Sequence, residues 1–207
     1  MKKTKNADAY EKIKGLILRE KLELGRCFSI LTLAERIGLG RAPVTDAIKR
    51  LEAENFLTVI PHQGIMVKEM SVQEMRQINE TRQVLEPYIT EKVAYRFNDK
   101  DAEKFRGYIE QMKVHADSLD YYEFIVLDHR MHMELYDLFE NKCMVGILEN
   151  LRDRIFTVGY KIVARREGRM QTTILEHQAI LEALIKRDPE EAAEKMRIHL
   201  TNGWNLI

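Results

Sequence analysis

The stretch from Leu31 to Val67 constrains the fold more than any other part of the chain. Thr32 is placed to cap a short helix, with Glu35 three residues on reaching back in a capping box, while Leu33, Ala34 and Ile37 give that helix an apolar inner face. Gly38, Leu39 and Gly40 make a turn. A second helix opens at Ala42 and Pro43, where proline's fixed φ and missing N–H do no harm, and runs to about Asn55. Val44, Ala47, Ile48 and Leu51 face inward; Arg41 just ahead of the helix, and Thr45, Asp46, Lys49 and Arg50 along it, face outward. The apolar and β-branched runs Phe56 to Ile60 and Ile65 to Lys68 flank Pro61, His62, Gln63 and Gly64, the pattern of a hairpin. In that order these elements are the layout of a winged helix-turn-helix. Its second helix offers donors to phosphates and base edges in a major groove, and the polar hairpin tip, His62 and Gln63 beside Gly64, reaches the DNA backbone or the minor groove.

The formal charge of the chain is zero, yet it is unevenly shared. Residues 1–68 hold 13 Lys and Arg against 8 Asp and Glu, and residues 69–207 hold 20 against 25. A basic head on an acidic body suits an amino-terminal segment that approaches phosphate. Cys27 and Cys143 have no metal-like or redox-like spacing and read as inert packing thiols in a reducing compartment. The basic amino terminus leads into no apolar signal core, and no later stretch approaches the roughly 18 uninterrupted apolar residues of a membrane span. The expectation is a soluble, cytoplasmic protein without a membrane partner.

A first helix over Ala7 to Lys21, with Tyr10, Ile13, Ile17 and Leu18 at helical spacing, buttresses the recognition pair. At Ser71 and Glu74 another capping-box signature begins a purely helical pattern, which sets the domains at 1–70 and 71–207. Six helices are predicted there, near 71–96, 99–117, 120–140, 143–167, 170–187 and 189–205. Short links between amphipathic helices imply an antiparallel bundle. The fold class is therefore mainly α: a winged helix-turn-helix followed by an all-α helical-bundle effector domain.

Within that bundle, Asp128 and His132 stand i and i+4 on a stripe with Phe124, Met131, Leu135 and Phe139. His177 shares a stripe with Ile174, Ile180, Leu181 and Leu184, and His199 shares one with Ala192, Met196 and Gly203. One carboxylate and three imidazoles thus fall where core residues belong, and burying them unpaired is costly. A divalent metal removes that cost: zinc first, with nickel, manganese, iron and cobalt as alternatives. A single such histidine reads as a packed core residue; four residues on three stripes reverse that balance. His115 lacks this setting, and His129 points off the face of Asp128. Arg82 and Arg152 also fall on apolar stripes, where a guanidinium can clamp a small carboxylate effector beside the metal. For Arg82 a structural ion pair with Glu86 at i+4 is the competing role.

These residues resemble the GntR superfamily of bacterial transcription regulators, in the branch with a FadR-type C-terminal (FCD) domain. In the head the resemblance lies in Tyr10 to Ile17, in LAERIGLGRAPVTDAIKRLEAENFL and in the wing ending Gly64 to Val67. In the body it lies in TRQVLEP, in the pair Asp128 and His132, and in EHQAILEALIKRDPEEAAEKMRIHL, which carries His177 and His199. The resemblance implies a homodimer binding a pseudo-palindromic operator, with a metal and often an organic acid in the effector pocket. Two departures stand out. The family's usual Ser-Arg-x-Pro-Val-Arg-Glu-Ala-Leu is here Gly40-Arg41-Ala42-Pro43-Val44-Thr45-Asp46-Ala47-Ile48, so a hydroxyl is lost at Gly40 and an expected DNA-contacting arginine is replaced by Thr45. Arg41 remains the foremost contact candidate.

The function expected is sequence-specific DNA binding whose affinity is set by a small organic acid at a metal-containing pocket. A purely structural ion is one alternative. A metal-dependent hydrolase is the other, but it needs an open coordination position and a general base, and no H-E-x-x-H arrangement supplies them.

Overall fold

A computed structural model describes residues 4–23 and 25–204, which form two compact units divided between Met70 and Ser71. In the first unit α1 (Lys5–Leu18) starts at Thr4, whose side chain accepts from Ala7 N, and packs on α3. It ends before Lys21, because Glu20 takes a left-handed φ of 50°. A strand absent from the sequence reading, β1 (Cys27–Phe28), follows. The next helix, α2 (Ile30–Ile37), begins three residues earlier than expected: Ser29, not Thr32, is the cap, with Oγ accepting from Thr32 N at 3.0 Å. The capping box of Thr32 and Glu35 is therefore not the one used. Gly38 closes α2 in the left-handed region at φ 69°, a conformation glycine reaches without a Cβ penalty.

The recognition helix α3 runs from Arg41 to Ala53, with Pro43 in its first turn, and packs on α1 and α2 with Val44, Ala47, Ile48 and Leu51 buried. Hairpin strands β2 (Leu57–Ile60) and β3 (Gly64–Val67) pair antiparallel from Leu57↔Val67 to Ile60↔Gly64, and β1 adds to the other edge of β3. At Gly64, φ 114°, a Cβ would sit 2.4 Å from the Phe28 carbonyl oxygen. Only glycine lets the short first strand dock on the wing, so Gly64 has a structural reason independent of DNA.

The second unit holds α4 (Val72–Ala94), α5 (Asp99–Asp117), α6 (Tyr121–Asp137), α7 (Lys142–Arg165), α8 (Arg169–Ile185) and α9 (Pro189–Trp204). Their ends follow local chemistry. Ser71 with Glu74, and Asn98 with Asp101, form capping boxes; Asn141 caps α7; Gly168 precedes α8 at φ 73°. Sequential neighbours pack as expected for α5–α6, α6–α7 and α8–α9, but α4 lies chiefly against α9, the helix farthest from it in sequence. The bundle is thus closed by its two ends, which brings the first and last helices to one polar centre. Cys27 is half-buried and Cys143 exposed, so the latter is not a packing thiol. Among the described residues no helix is long and apolar enough to cross a membrane.

Candidate functional site

The polar centre of the bundle is assembled from four residues on three helices. Helix α6 supplies Asp128 and His132 one turn apart, α8 supplies His177 and α9 supplies His199; one ligand-type atom of each lies within 4.8 Å of the others. The imidazoles crowd together, with ring centroids 4.7 Å apart for His177 and His199 and 5.2 Å for His132 and His199. All three are buried, and Asp128 is half-buried.

Second partners set which nitrogen is available. Nδ1 of His132 meets Glu86 Oε2 at 2.6 Å, and Nδ1 of His199 meets Glu176 Oε2 at 2.8 Å. A carboxylate at Nδ1 makes that nitrogen the donor and leaves the Nε2 lone pair for an electrophile, the arrangement that carboxylates give to metal-bound histidines. His132 Nε2 is buried without a hydrogen-bond partner among the described residues, and His177 Nε2 lies 3.5 Å from Asp128 Oδ1. Three imidazole nitrogens, that of His132 without a hydrogen-bond partner, and one carboxylate are a donor set that fits a divalent ion.

The electrostatics favour ligands over cations. Burial, helped by neighbouring His199, pushes His177 well below the usual histidine range, and burial also lowers His199. Burial pushes Asp128 up, but the imidazoles of His177, His132 and His199 outweigh it, so the carboxyl stays below its ordinary value. Burial likewise opposes ionisation of Glu86, yet the Arg82 guanidinium and His132 hold it far below the carboxylate range. Burial lowers the off-face His129 to about 4.

Beside the centre lies a cavity lined by Asp128 and His199, by Arg82 and Asn79 of α4, by Arg169 and Thr173 of α8, and by apolar side chains ending at Trp204. Arg82 does reach this cavity, and its predicted ion pair with Glu86 is present at 2.5 Å. Both roles considered for Arg82 are thus compatible, with Glu86 linking it to His132. Arg152 does not line the cavity: it is half-exposed and its Nε lies 3.6 Å from Asp153. Its stripe neighbours Leu148 and Ile155 are buried, but a long charged side chain can leave its helix face for solvent. Arg169 occupies the cavity instead, buried and bidentate to Glu176 at 2.9 and 2.8 Å. The sequence did hold a signal for this pair. A cation in the first turn of α8 is disfavoured by the helix dipole and calls for a partner, and Glu176 stands two turns along the same face.

Comparison with known proteins now separates a metal-like cluster in any bundle from a recognisable architecture. Residues 77–202 match the FCD domain, and residues 5–67 match the bacterial regulatory proteins of the gntR family. The chain belongs to the GntR family. It is 26% identical over 208 residues to the HTH-type transcriptional repressor GlaR of Escherichia coli, covering 97% of this chain and 94% of that one. It is 23% identical over 195 residues to the HTH-type transcriptional regulator YdhC of Bacillus subtilis, covering 93% and 86%. The solved structure of E. coli McbR/YncC superposes with a TM-score of 0.80 over 97% of this chain and 95% of that one, at 19% identity, a likeness of fold. This GntR protein is a DNA-binding transcription regulator of the FCD type and not an enzyme.

In the head of the GntR protein the candidate DNA contacts divide into two groups. Arg41 and Lys49 are exposed on α3, and His62 and Gln63 are exposed at the wing tip, with His62 at a left-handed φ of 62°. Arg50 and Thr45 are engaged internally. The Arg50 guanidinium stacks 3.8 Å over the Tyr10 ring and its Nε donates to Glu54 at 2.9 Å, while the Thr45 hydroxyl donates to the Arg41 carbonyl at 2.9 Å. Arg50 therefore clamps α3 to α1. Gly40 is the N-cap of α3 and supplies no side-chain cap, so the hydroxyl missing relative to the family pattern is missing at the mouth of the recognition helix.

Proposed function

We propose that this GntR regulator is a homodimer that binds a pseudo-palindromic operator and is switched by a small carboxylate meeting a divalent metal in the body. Asp128, His132, His177 and His199 would hold the ion, zinc first among the candidates for an N3O set. Such an ion would supply a positive charge and, at five- or six-coordination, a position for a carboxylate oxygen beyond the four protein ligands, with Arg82 offering donors to the second oxygen. Arg169 takes the place that Arg152 does not fill. The observation that carries this reading is the orientation of His132 and His199 by Glu86 and Glu176 beside a cavity that Asp128 and Arg82 line.

Arg41, Lys49, His62 and Gln63 would face the DNA, with Thr45 offering its hydroxyl oxygen at the groove floor; half-sites are then one helical turn apart. Self-association is supported by Val84 and Tyr88, exposed on α4, and by Tyr95, exposed at its C-cap. A ligand alters operator affinity only if it binds two states of the protein unequally. The test is selection of duplexes from a random pool by the full-length, zinc-loaded protein. A two-fold symmetric site bound by two chains is expected, and asymmetric or unselected DNA bound by one chain would contradict the proposal.

A purely structural ion is favoured by the near-complete burial of the three histidines. Thermal melting with and without chelator, repeated with a carboxylate panel, divides the readings: a structural ion responds to chelator alone, an effector site to both.

A further inference from the structure

Both guanidiniums in the cavity are already matched by resident carboxylates. Arg82 pairs with Glu86, and Arg169 is held at two nitrogens by Glu176. The remaining charged group on the cavity wall is Asp128. With a divalent ion on three neutral imidazoles and Asp128, the two ion pairs cancel and the pocket retains a single positive charge. One carboxylate neutralises it; a second would be taken from water into a wall that holds no unmatched cation, and buried charge without a partner is strongly disfavoured. The rest of the wall is mainly apolar, with Ile78, Ile125, Val158, Ile162, Leu200 and the ring of Trp204, and its further polar groups, Asn79, Thr173 and the ligand candidate His199, carry no matching charge.

We infer that the effector is a monoanion with a compact apolar body, its one carboxylate at the metal and Arg82 and its hydrocarbon against Ile125, Val158, Ile162 and Trp204, and that di- and tricarboxylates are discriminated against. The inference rests on the proposed carboxylate site and adds the class of ligand. Glu86 and Glu176 thereby act twice: they orient His132 and His199, and they cancel the charges of Arg82 and Arg169, which leaves neither guanidinium to neutralise a second acid group.

Trp204 is the single tryptophan of the chain and lines the cavity, so its fluorescence reports occupancy. The experiment titrates the full-length, zinc-loaded protein with butanoate, pentanoate and hexanoate and with the diacids of the same lengths. Among the monoacids affinity is expected to rise about fourfold per methylene buried, until the cavity is full. Each diacid is expected to bind roughly tenfold or more weakly than its monoacid partner. Diacids binding as tightly as monoacids, or tighter, would overturn the inference while leaving the carboxylate site standing. No response to either class would overturn both. At saturating zinc, Glu176→Gln keeps an acceptor for His199 but leaves Arg169 unmatched, and should shift the preference at least tenfold toward the diacid, by the same physics. An unchanged preference in a folded, zinc-loaded variant would contradict the role given to Glu176.

Discussion

The two units of this GntR protein carry their candidate functional groups in opposite ways. In the head, Arg41, Lys49, His62 and Gln63 are exposed and the fold holds together through Val44, Ala47, Ile48 and Leu51 beneath them. In the body, His132, His177 and His199 are themselves core residues, and Glu86 lies as deep as the leucines around it. Function and stability are therefore separable in the head and joined in the body: an exposed donor can be removed with little effect on folding, whereas a buried ligand cannot.

The largest effect should come from withdrawing the ion. At a thousandfold excess over its dissociation constant a bound metal stabilises by about 4 kcal/mol, so chelation is expected to lower the body's melting temperature by about 10 °C, read by calorimetry. His177→Ala should abolish that difference between loaded and chelated protein. Next in size, Arg41→Ala should weaken operator binding by about 1–3 kcal/mol in a fluorescence anisotropy titration while leaving the melting temperature unchanged. A fall in melting temperature instead would erase the separation claimed for the head. Comparable in size, Glu86→Gln should weaken metal binding roughly 10- to 100-fold in competition with a chromophoric chelator, although Glu86 touches no ion. Smallest, Lys49→Ala should reduce the slope of log affinity against log salt by about one.

The pH dependence sharpens the same contrast. Because His177 and His199 sit below the ordinary histidine range, the unfolded chain binds more protons than the folded one as pH drops through about 6.5. Their contribution is thus complete above that pH and is lost as pH falls toward the folded values. Urea melts of the chelated protein should show stability declining from pH 7 to pH 5.5.

The two units also differed in how far they could be read from the chain. Apolar periodicity and caps placed all six body helices to within a few residues, and the stripes holding Asp128, His132, His177 and His199 pointed to their convergence, because a helix face is a local property. What joins helices was less legible. The links of Glu86 to His132 and of Glu176 to His199 cross between helices, so periodicity along one helix could not reveal them. Arg152 was placed inside by its stripe, yet side-chain length let it turn to Asp153. In the head, β1 is two residues long and exists only through its pairing with β3 and the close approach at Gly64, interactions without a local sequence pattern. Ser29 was passed over for Thr32 because both are capping residues, and the choice depends on where the preceding strand ends.

The claim that the body's pocket governs the head's hold on DNA is tested most directly by measuring one coupling from both sides. Operator affinity of the zinc-loaded protein is determined with and without a saturating monocarboxylate, and monocarboxylate affinity with and without operator. The account predicts the same factor in both directions, about 5- to 150-fold. Equal affinities with and without the partner ligand, in protein shown to bind each one alone, would contradict it.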